Sequence, residues 1–407
     1  MRFVIALDVS KGKSTIVIYK SQNTCVFEGE VNHTRTDFEW LHQQINEITA
    51  TEGRAPEIIF EATGIYSKAI EKFLIDHNHE YCRMNPLEAN LQMTKMRRNK
   101  TDISDAHELA KTHYNMIREH TYQQGYYYEK MRTMTRYYDE ITEEIILIQN
   151  RMQSILHLSF PELEQHMTLN SALFLNFVQL YPHPSLLLSD SKTIIKNRLI
   201  NNTRKNLSSK RAENKAIELL EAAKNSYPAI DSTDFRCNQV RDYASRIIDL
   251  FEKKTKIVQE MVSISESKKE YKILRSIPGI GEATACRLIG ELGDINRFKN
   301  AKQINAYVGI DVMRYQSGKL HYRDRINKRG NNRLRKILYF MICAMLMAKG
   351  KPNHFVDYYY KLKKQPQYKP HKVAVVACIN KFLKVTFQLI TREKLYDYEM
   401  ALSNSKS

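Results

Sequence analysis

The six cysteines, at 25, 82, 237, 286, 343 and 378, are scattered, and no two stand in a CxxC or CxxH spacing. That argues against a structural zinc site and against a disulfide framework, and it fits a reducing cytoplasm. Long hydrophobic runs are missing too. The longest nearly unbroken one, ILYFMICAMLMA at 337–348, is well short of the about 20 residues that cross a bilayer, so no membrane role is expected. An apolar stretch opens the chain, but Asp8 interrupts it and no small-residue cleavage site follows, which argues against a secretory signal. No internal repeat is visible. Acidic charge is the scarce sign: 45 Asp and Glu face 63 Lys and Arg, for a formal net charge of +18. Such an excess suggests a polyanionic partner. A chain rich in Lys, Asn, Ile and Tyr is also what A/T-rich coding produces, so composition alone does not choose.

With 407 residues, 43% of them apolar, the chain is too long for one core, and two or three domains are expected. Residues 3–9, 15–20 and 24–31 are β-rich runs with short polar breaks, which predicts a three-stranded meander. Asp37 then reads as the cap of a helix, FEWLHQQINEITA. A strand (EIIFEAT), a helix (YSKAIEKFLIDHN) and a short strand (EYCRM) follow, giving an α/β domain with a mixed sheet. From about residue 129 strand signals vanish. Ile141, Ile145, Ile148, Met152 and Ile155 form a heptad-like seam, as do Val240, Tyr243, Ile247, Leu250, Lys254, Ile257, Met261 and Ile264, with Lys254 as the one breach. The two seams could zip with each other or between two chains, and the reading leans to a dimer. Residues 185–235 between them are polar with little periodicity.

Two aspartates, Asp102 and Asp105, stand three residues apart where a helix begins, so they share a face. One reading is capping, with Asp102 or Ser104 as N-cap and the acids complementing the helix dipole. The other is that they hold a cation. Asp8 closes the first strand in ALDVSK, and Glu61 closes the fourth in FEATG. An acid at the buried edge of a sheet needs a partner. Four acids converging from two strand ends and one helix turn would call for cations, and hard oxygen ligands favour Mg²⁺ or Mn²⁺.

The last third restarts with IPGIGEATA, a helix-hairpin-helix signature. Gly279 and Gly281 permit a tight turn whose N–H groups and following helix could cradle a phosphate; an ordinary αα-corner would look the same. Farther on, Ser317 sits in a Ser-Gly turn among Arg314, Lys319, Arg323 and Arg325. KRGNNRLRK then gathers Lys328, Arg329, Arg333, Arg335 and Lys336, either a phosphate-binding cluster or a solvated helix face. Tyrosine runs at 126–128 and 358–360 could stack on RNA bases or simply pack.

The order strand-Asp, strand-Glu, helix D-x-x-D resembles the RuvC-like branch of the RNase H fold. FEATG together with KTDISDA is similar to the DEDD transposases of bacterial insertion sequences. The later series Tyr-Val-Gly-Ile, Ser-Gly, Lys-Arg-Gly-Asn-Asn-Arg-Leu-Arg resembles the C-terminal domain of the same transposases. One departure is Asp311–Val312, where many members carry a proline. The resemblance implies a RuvC-like DEDD domain over 1–128, a helical coiled-coil domain over 129–268, and a mainly α C-terminal serine transposase domain over 269–407. It implies that Asp8, Glu61, Asp102 and Asp105 ligate Mg²⁺ or Mn²⁺ and that Ser317 is a nucleophile. It further implies a recombinase that excises and inserts its own element, guided by a structured bridge RNA that pairs with donor and target DNA. With the dimer to which the seams lean and the cytoplasm that the cysteines fit, a homodimer, with a higher oligomer on synapsis, and a cytoplasmic, nucleoid-associated location are expected. Two alternatives are a metal-dependent junction nuclease that uses water, and a non-catalytic nucleic-acid binder. Four acids beside a polyanion weigh against the binder, because without a metal they would repel the ligand.

Overall fold

The computed structural model describes residues 2–86, 88–89, 101–116, 118–169, 171–203, 207–313, 316–317, 320–321, 325–348 and 352–403. The chain forms two compact units, Met1–Gln123 and Gln124–Ser407.

In the first unit β1 (Val4–Ser10), β2 (Lys13–Ser21) and β3 (Thr24–Asn32) form the expected antiparallel meander. α1 (Arg35–Glu52), β4 (Glu57–Glu61), α2 (Lys68–Asp76) and β5 (Tyr81–Met84) follow. The sheet order is β3-β2-β1-β4-β5, with β4 parallel to both β1 and β5. This mixed five-stranded sheet fits an RNase H-like domain. Because both faces are covered, β1 is apolar without interruption from Val4 to Leu7, as central strands of such sheets are. Ile5, Leu7, Ile58 and Phe60 pack with α1 and α2 through Leu41, Ile45, Ile70 and Phe73. Val4, Ala6 and Ile59 pack on the other face against Ala106, Leu109 and Ala110 of α3 (Asp102–Asn115). The cap of α1 differs from the sequence expectation. Thr34 is the N-cap and accepts from the Asp37 N–H, while the Asp37 carboxylate accepts from Asn32 N at 2.8 Å.

A partly buried Arg2–Glu57 ion pair, joined by His113, ties α3 to the sheet. The Glu57 carboxylate accepts from Arg2 at 2.9 and 2.7 Å and from His113 Nε2 at 2.5 Å. The Arg2 hydrogen bonds hold the Glu57 carboxyl at about 2 against the upward pull of its burial. Folded Glu57 therefore binds its proton less tightly than the unfolded chain does. It contributes stability above about pH 4.5 that is lost as pH falls through about 2, at most about 3 kcal/mol. Urea unfolding of wild type should weaken across that window, whereas Glu57→Gln should be less stable at neutral pH and should lack this component of the slope.

In the second unit α4 (Tyr126–Ser159) is followed by α5 (Leu163–His166), α6 (Ala172–Leu180), α7 (Pro184–Leu188), α8 (Lys192–Asn201), α9 (Ser209–Asn225) and α10 (Phe235–Ser265). The two predicted seams meet within the chain. Ile141, Ile145, Ile148 and Met152 of α4 share a core with Val240, Ile247 and Leu250 of α10. Leu156 rather than Ile155 is the fully buried residue at the end of the first seam. The breach is accommodated, since Lys254 lies over the Tyr138 ring at 4.5 Å, a cation–π contact with α4. These residues are covered inside one chain, so the seams themselves give no support to the expected dimer. The stretch read as aperiodic is helical as well, and Ala212, Ala216, Leu219 and Ala223 face the core.

The remainder comprises α11 (Lys269–Ser276), α12 (Glu282–Leu292) and α13 (Ala301–Val308), then α14 (Asn332–Met347), α15 (His354–Lys363) and α16 (His371–Thr391). Strands do return. β6 (Val312–Met313), β7 (Gln316–Ser317), β8 (Leu320–His321) and β9 (Arg325–Ile326) lie between α13 and α14. α16 is long and apolar enough to cross a membrane by length and composition; here Val375, Ile379, Phe382 and Leu383 sit in the core with α12 and α14. The tyrosine runs divide. Tyr127 and Tyr128 pack on this core, with their hydroxyls on Ser265 and Glu270, while Tyr126 is exposed.

Candidate active site

Parallel pairing of β1 and β4 sets Leu7 opposite Phe60. The next residues on the two strands are Asp8 and Glu61. They stand side by side at the carboxyl ends of neighbouring strands, whose spacing is about 4.8 Å. Alternation assigns both to the Val4/Ala6/Ile59 face, the face that α3 covers. Both are partly buried.

α3 delivers the aspartates to the same end. His113 near its C-terminus is fixed to Glu57 at the start of β4. From His113 back to Asp102 the helix rises about 16 Å, and from Glu57 to Glu61 the strand rises about 13 Å. The first turn of α3 therefore reaches the level of Glu61 and Asp8. A second observation agrees: Lys13, at the start of β2, has its pKa raised by Glu30 first and by Asp102 in addition. Asp102 and Asp105 extend the stripe of Ala106, Leu109, Ala110 and His113, the side buried against the sheet. They are not the cap. Thr101 is the N-cap, its hydroxyl accepts from Ser104 N at 3.1 Å, and the Ser104 hydroxyl accepts from Thr101 N at 3.1 Å. This complete capping box replaces the expected cap at Asp102 or Ser104.

The donor set is all carboxylate, which suits Mg²⁺ or Mn²⁺ rather than a thiolate-seeking ion. Among the described residues no three His, Cys, Asp or Glu side chains stand close enough to enclose an ion. Asp8, Glu61 and Asp105 each have interaction partners. The structure thus assembles the four acids at one end of the sheet without drawing them into a cage.

In the second unit the motif segments lock together. Tyr307–Ile310 lies against 327–331. Lys328 N donates to Gly309 O at 3.0 Å and Asn331 N to Tyr307 O at 2.7 Å. Gly330 comes so close that a Cβ there would stand 2.6 Å from Gly309 N and Tyr307 O, so no side chain fits. The Asn331 amide reaches Glu291 Oε2 at 2.7 Å, and the fully buried Glu291 also accepts from Arg136 at 3.1 Å. Between these segments the chain makes an arm. β6 pairs with β9, beyond it β7 pairs with β8, and Ser317 opposes Leu320. Ser317 is thus the last paired residue of β7 among the described residues. Arg314, Lys319 and Arg323 lie outside the described residues.

The basic cluster splits by role. Arg335 donates to Val308 O at 2.6 Å, and Arg333 lies 3.8 Å from Asp139. Arg325, Lys328, Arg329 and Lys336 are exposed. At the glycine turn Gly279 has φ +91°, and a Cβ would stand 2.8 Å from Met345 Cγ, so packing on α14 already requires glycine there. Gly281 is the N-cap of α12.

Residues 5–161 match a family model described as a transposase, of the DEDD type named for IS110, and residues 271–360 match the model of the Transposase IS116/IS110/IS902 family. The chain belongs to this family of insertion-sequence transposases. It is 29% identical over 139 residues to the transposase for insertion sequence element IS1111A of Coxiella burnetii, covering 34% of this chain and 37% of that one. It is 27% identical over 126 residues to the pilin gene-inverting protein of Moraxella bovis, covering 31% and 38%. The chain thus spans less than half the length of these curated relatives. A solved structure of T. thermophilus RuvC with a Holliday junction substrate matches at 10% identity and TM-score 0.21, covering 28% of this chain and 92% of that one, too slight a likeness to argue from. In this transposase-family chain, sequence reading missed Glu291, Arg136 and Asp139 as supports of the motif segments. Their signal is long-range pairing, which no local pattern carries.

Proposed function

We propose that this chain is a DNA recombinase that cleaves and rejoins strands through a serine adduct. The observation that carries the reading is the side-by-side register of Asp8 and Glu61 at the end of the sheet to which α3 brings Asp102 and Asp105. Family membership over both the acid-bearing and the serine-bearing segments supports it. The Ser317 hydroxyl attacks a phosphodiester, a Ser Oγ–P bond forms, and one strand P–O bond breaks. The released strand hydroxyl carries away a proton, so charge balances. Attack by another strand hydroxyl reverses the step and restores the serine, conserving the bond energy for rejoining. Asp8, Glu61, Asp102 and Asp105 would hold Mg²⁺ or Mn²⁺, which when bound polarises a phosphate oxygen and favours the deprotonated nucleophile. Arg325, Lys328, Arg329 and Lys336 would hold the scissile strand and offset charge on the pentavalent phosphate.

Sequence choice is delegated to a structured guide RNA whose loops pair with donor and target DNA, so that the protein reads shape and backbone. A homodimer, with a higher oligomer at synapsis, would use surfaces other than the buried seams. The test is to purify the chain from an expression context that keeps its flanking DNA, and to sequence what is bound. One dominant structured RNA encoded beside the gene is the expected result. Heterogeneous cellular RNA or DNA alone would overturn the guided reading and leave cleavage of branched DNA without an adduct as the activity to seek.

A further inference from the structure

α15 and α16 border a cleft of about 430 Å³ whose lining includes His354, Asp357, Lys361, Asn380, Lys381 and Lys384, with the Tyr358 ring beside them. Its chemistry is one-sided. Asn380 Oδ1 accepts from Asn305 at 3.2 Å, which leaves the Asn380 NH₂ as a donor. The one carboxylate, Asp357, already accepts from the Tyr398 hydroxyl at 2.9 Å. Lys361, Lys381 and Lys384 form no ion pair among the described residues, and Lys381 lies over the Tyr358 ring at 4.7 Å. Burial first, and Lys361 in addition, push the Lys381 pKa below its ordinary value. Three ammonium groups face one lining carboxylate, Asp357, whose charge offsets only part of theirs, and an anion in the cleft relieves the remaining cost.

We infer that this cleft grips the sugar–phosphate backbone of a nucleic-acid strand. The inference rests on the nucleic-acid reading above and adds a second contact region, away from the Ser317 arm in sequence. A strand suits it better than a lone phosphate. The cleft far exceeds one phosphate in volume, and the lysines are spread along it: Lys381 and Lys384 share one face of α16, with Lys361 opposite on α15.

The test measures binding of a labelled single-stranded oligonucleotide against salt. Three phosphate contacts contribute about 2 to the slope of log K on log salt. The triple variant Lys361→Gln/Lys381→Gln/Lys384→Gln should lose about that much, and Lys361→Gln/Lys384→Gln, which leaves the Tyr358 contact intact, about two-thirds of it. Lys253→Gln/Lys256→Gln, exposed on α10, should retain the wild-type slope. Acetylation of Lys361, Lys381 and Lys384 should be blocked by the oligonucleotide. A wild-type slope in both cleft variants overturns the inference, as does protection by inorganic phosphate but not by the strand. If no form of the protein binds strands, the nucleic-acid reading fails instead.

Discussion

Ser317→Ala should abolish the covalent protein–DNA adduct and reduce strand exchange by roughly 10⁴-fold or more, the scale on which removal of a catalytic nucleophile acts. The adduct is read directly as a labelled strand that stays with the protein on a denaturing gel in the presence of Mg²⁺. Position supports the size of the effect. Ser317 is the last paired residue of β7 among the described residues, in a two-tier hairpin arm whose base is fixed by Val312–Ile326 pairing. That base continues into segments locked by Gly330, Asn331 and Glu291. If Ser317 is the nucleophile, the exposed Arg325, Lys328 and Arg329 of the following segment are the nearest described basic residues in sequence to receive the strand it attacks. The substitution removes one oxygen at a strand position and leaves the Glu291 lock intact, so unfolding curves should be unchanged. An adduct that survives in Ser317→Ala sinks the serine mechanism. Cleavage that continues at the wild-type rate with no adduct in either protein assigns the reaction to water.

The first unit was legible because its signals are local. Alternation and turn residues placed the meander. An acid at the end of each of two apolar strands marked Asp8 and Glu61, since the cost of burying a charge makes such positions rare without a purpose. What escaped was competition between neighbouring polar residues. Thr34 outcompetes Asp37 as a cap, and Thr101 with Ser104 forms a box where Asp102 was an equal candidate. Each is a one-residue choice settled by hydrogen-bond geometry that a pattern does not encode. In the second unit the heptad seams were visible but not their partner, because a seam of Ile and Val fits a helix of its own chain as well as one of a second chain. α9 was missed because alanine marks its core positions weakly. The β arm was missed because two-residue strands carry too little periodicity to register.

Asp102→Asn should leave stability within about 1 kcal/mol of wild type, the scale of an exposed acid facing a helix dipole. The same change should lower strand cleavage on the order of 10³-fold or more, as expected when several kcal/mol of transition-state stabilisation is lost. The capping box makes the two effects separable. The Thr101 hydroxyl accepts from the Ser104 N–H in the first turn of α3, the Ser104 hydroxyl accepts from the N-cap Thr101 N–H, and His113 anchors the far end to Glu57, so the helix does not need the Asp102 carboxylate in order to form. Thr101→Ala is the mirror experiment. It should cost about 1 kcal/mol of stability through the lost cap and leave cleavage within a few-fold once the protein is folded. If Asp102→Asn destabilises like a lost cap and retains cleavage, the acids belong to the helix and not to a metal. If Asp102→Asn is stable and inactive while Thr101→Ala is weakened and active, the charge pair serves the reaction. Asp105→Asn should then match Asp102→Asn, because both lie on the stripe that α3 turns toward Asp8 and Glu61.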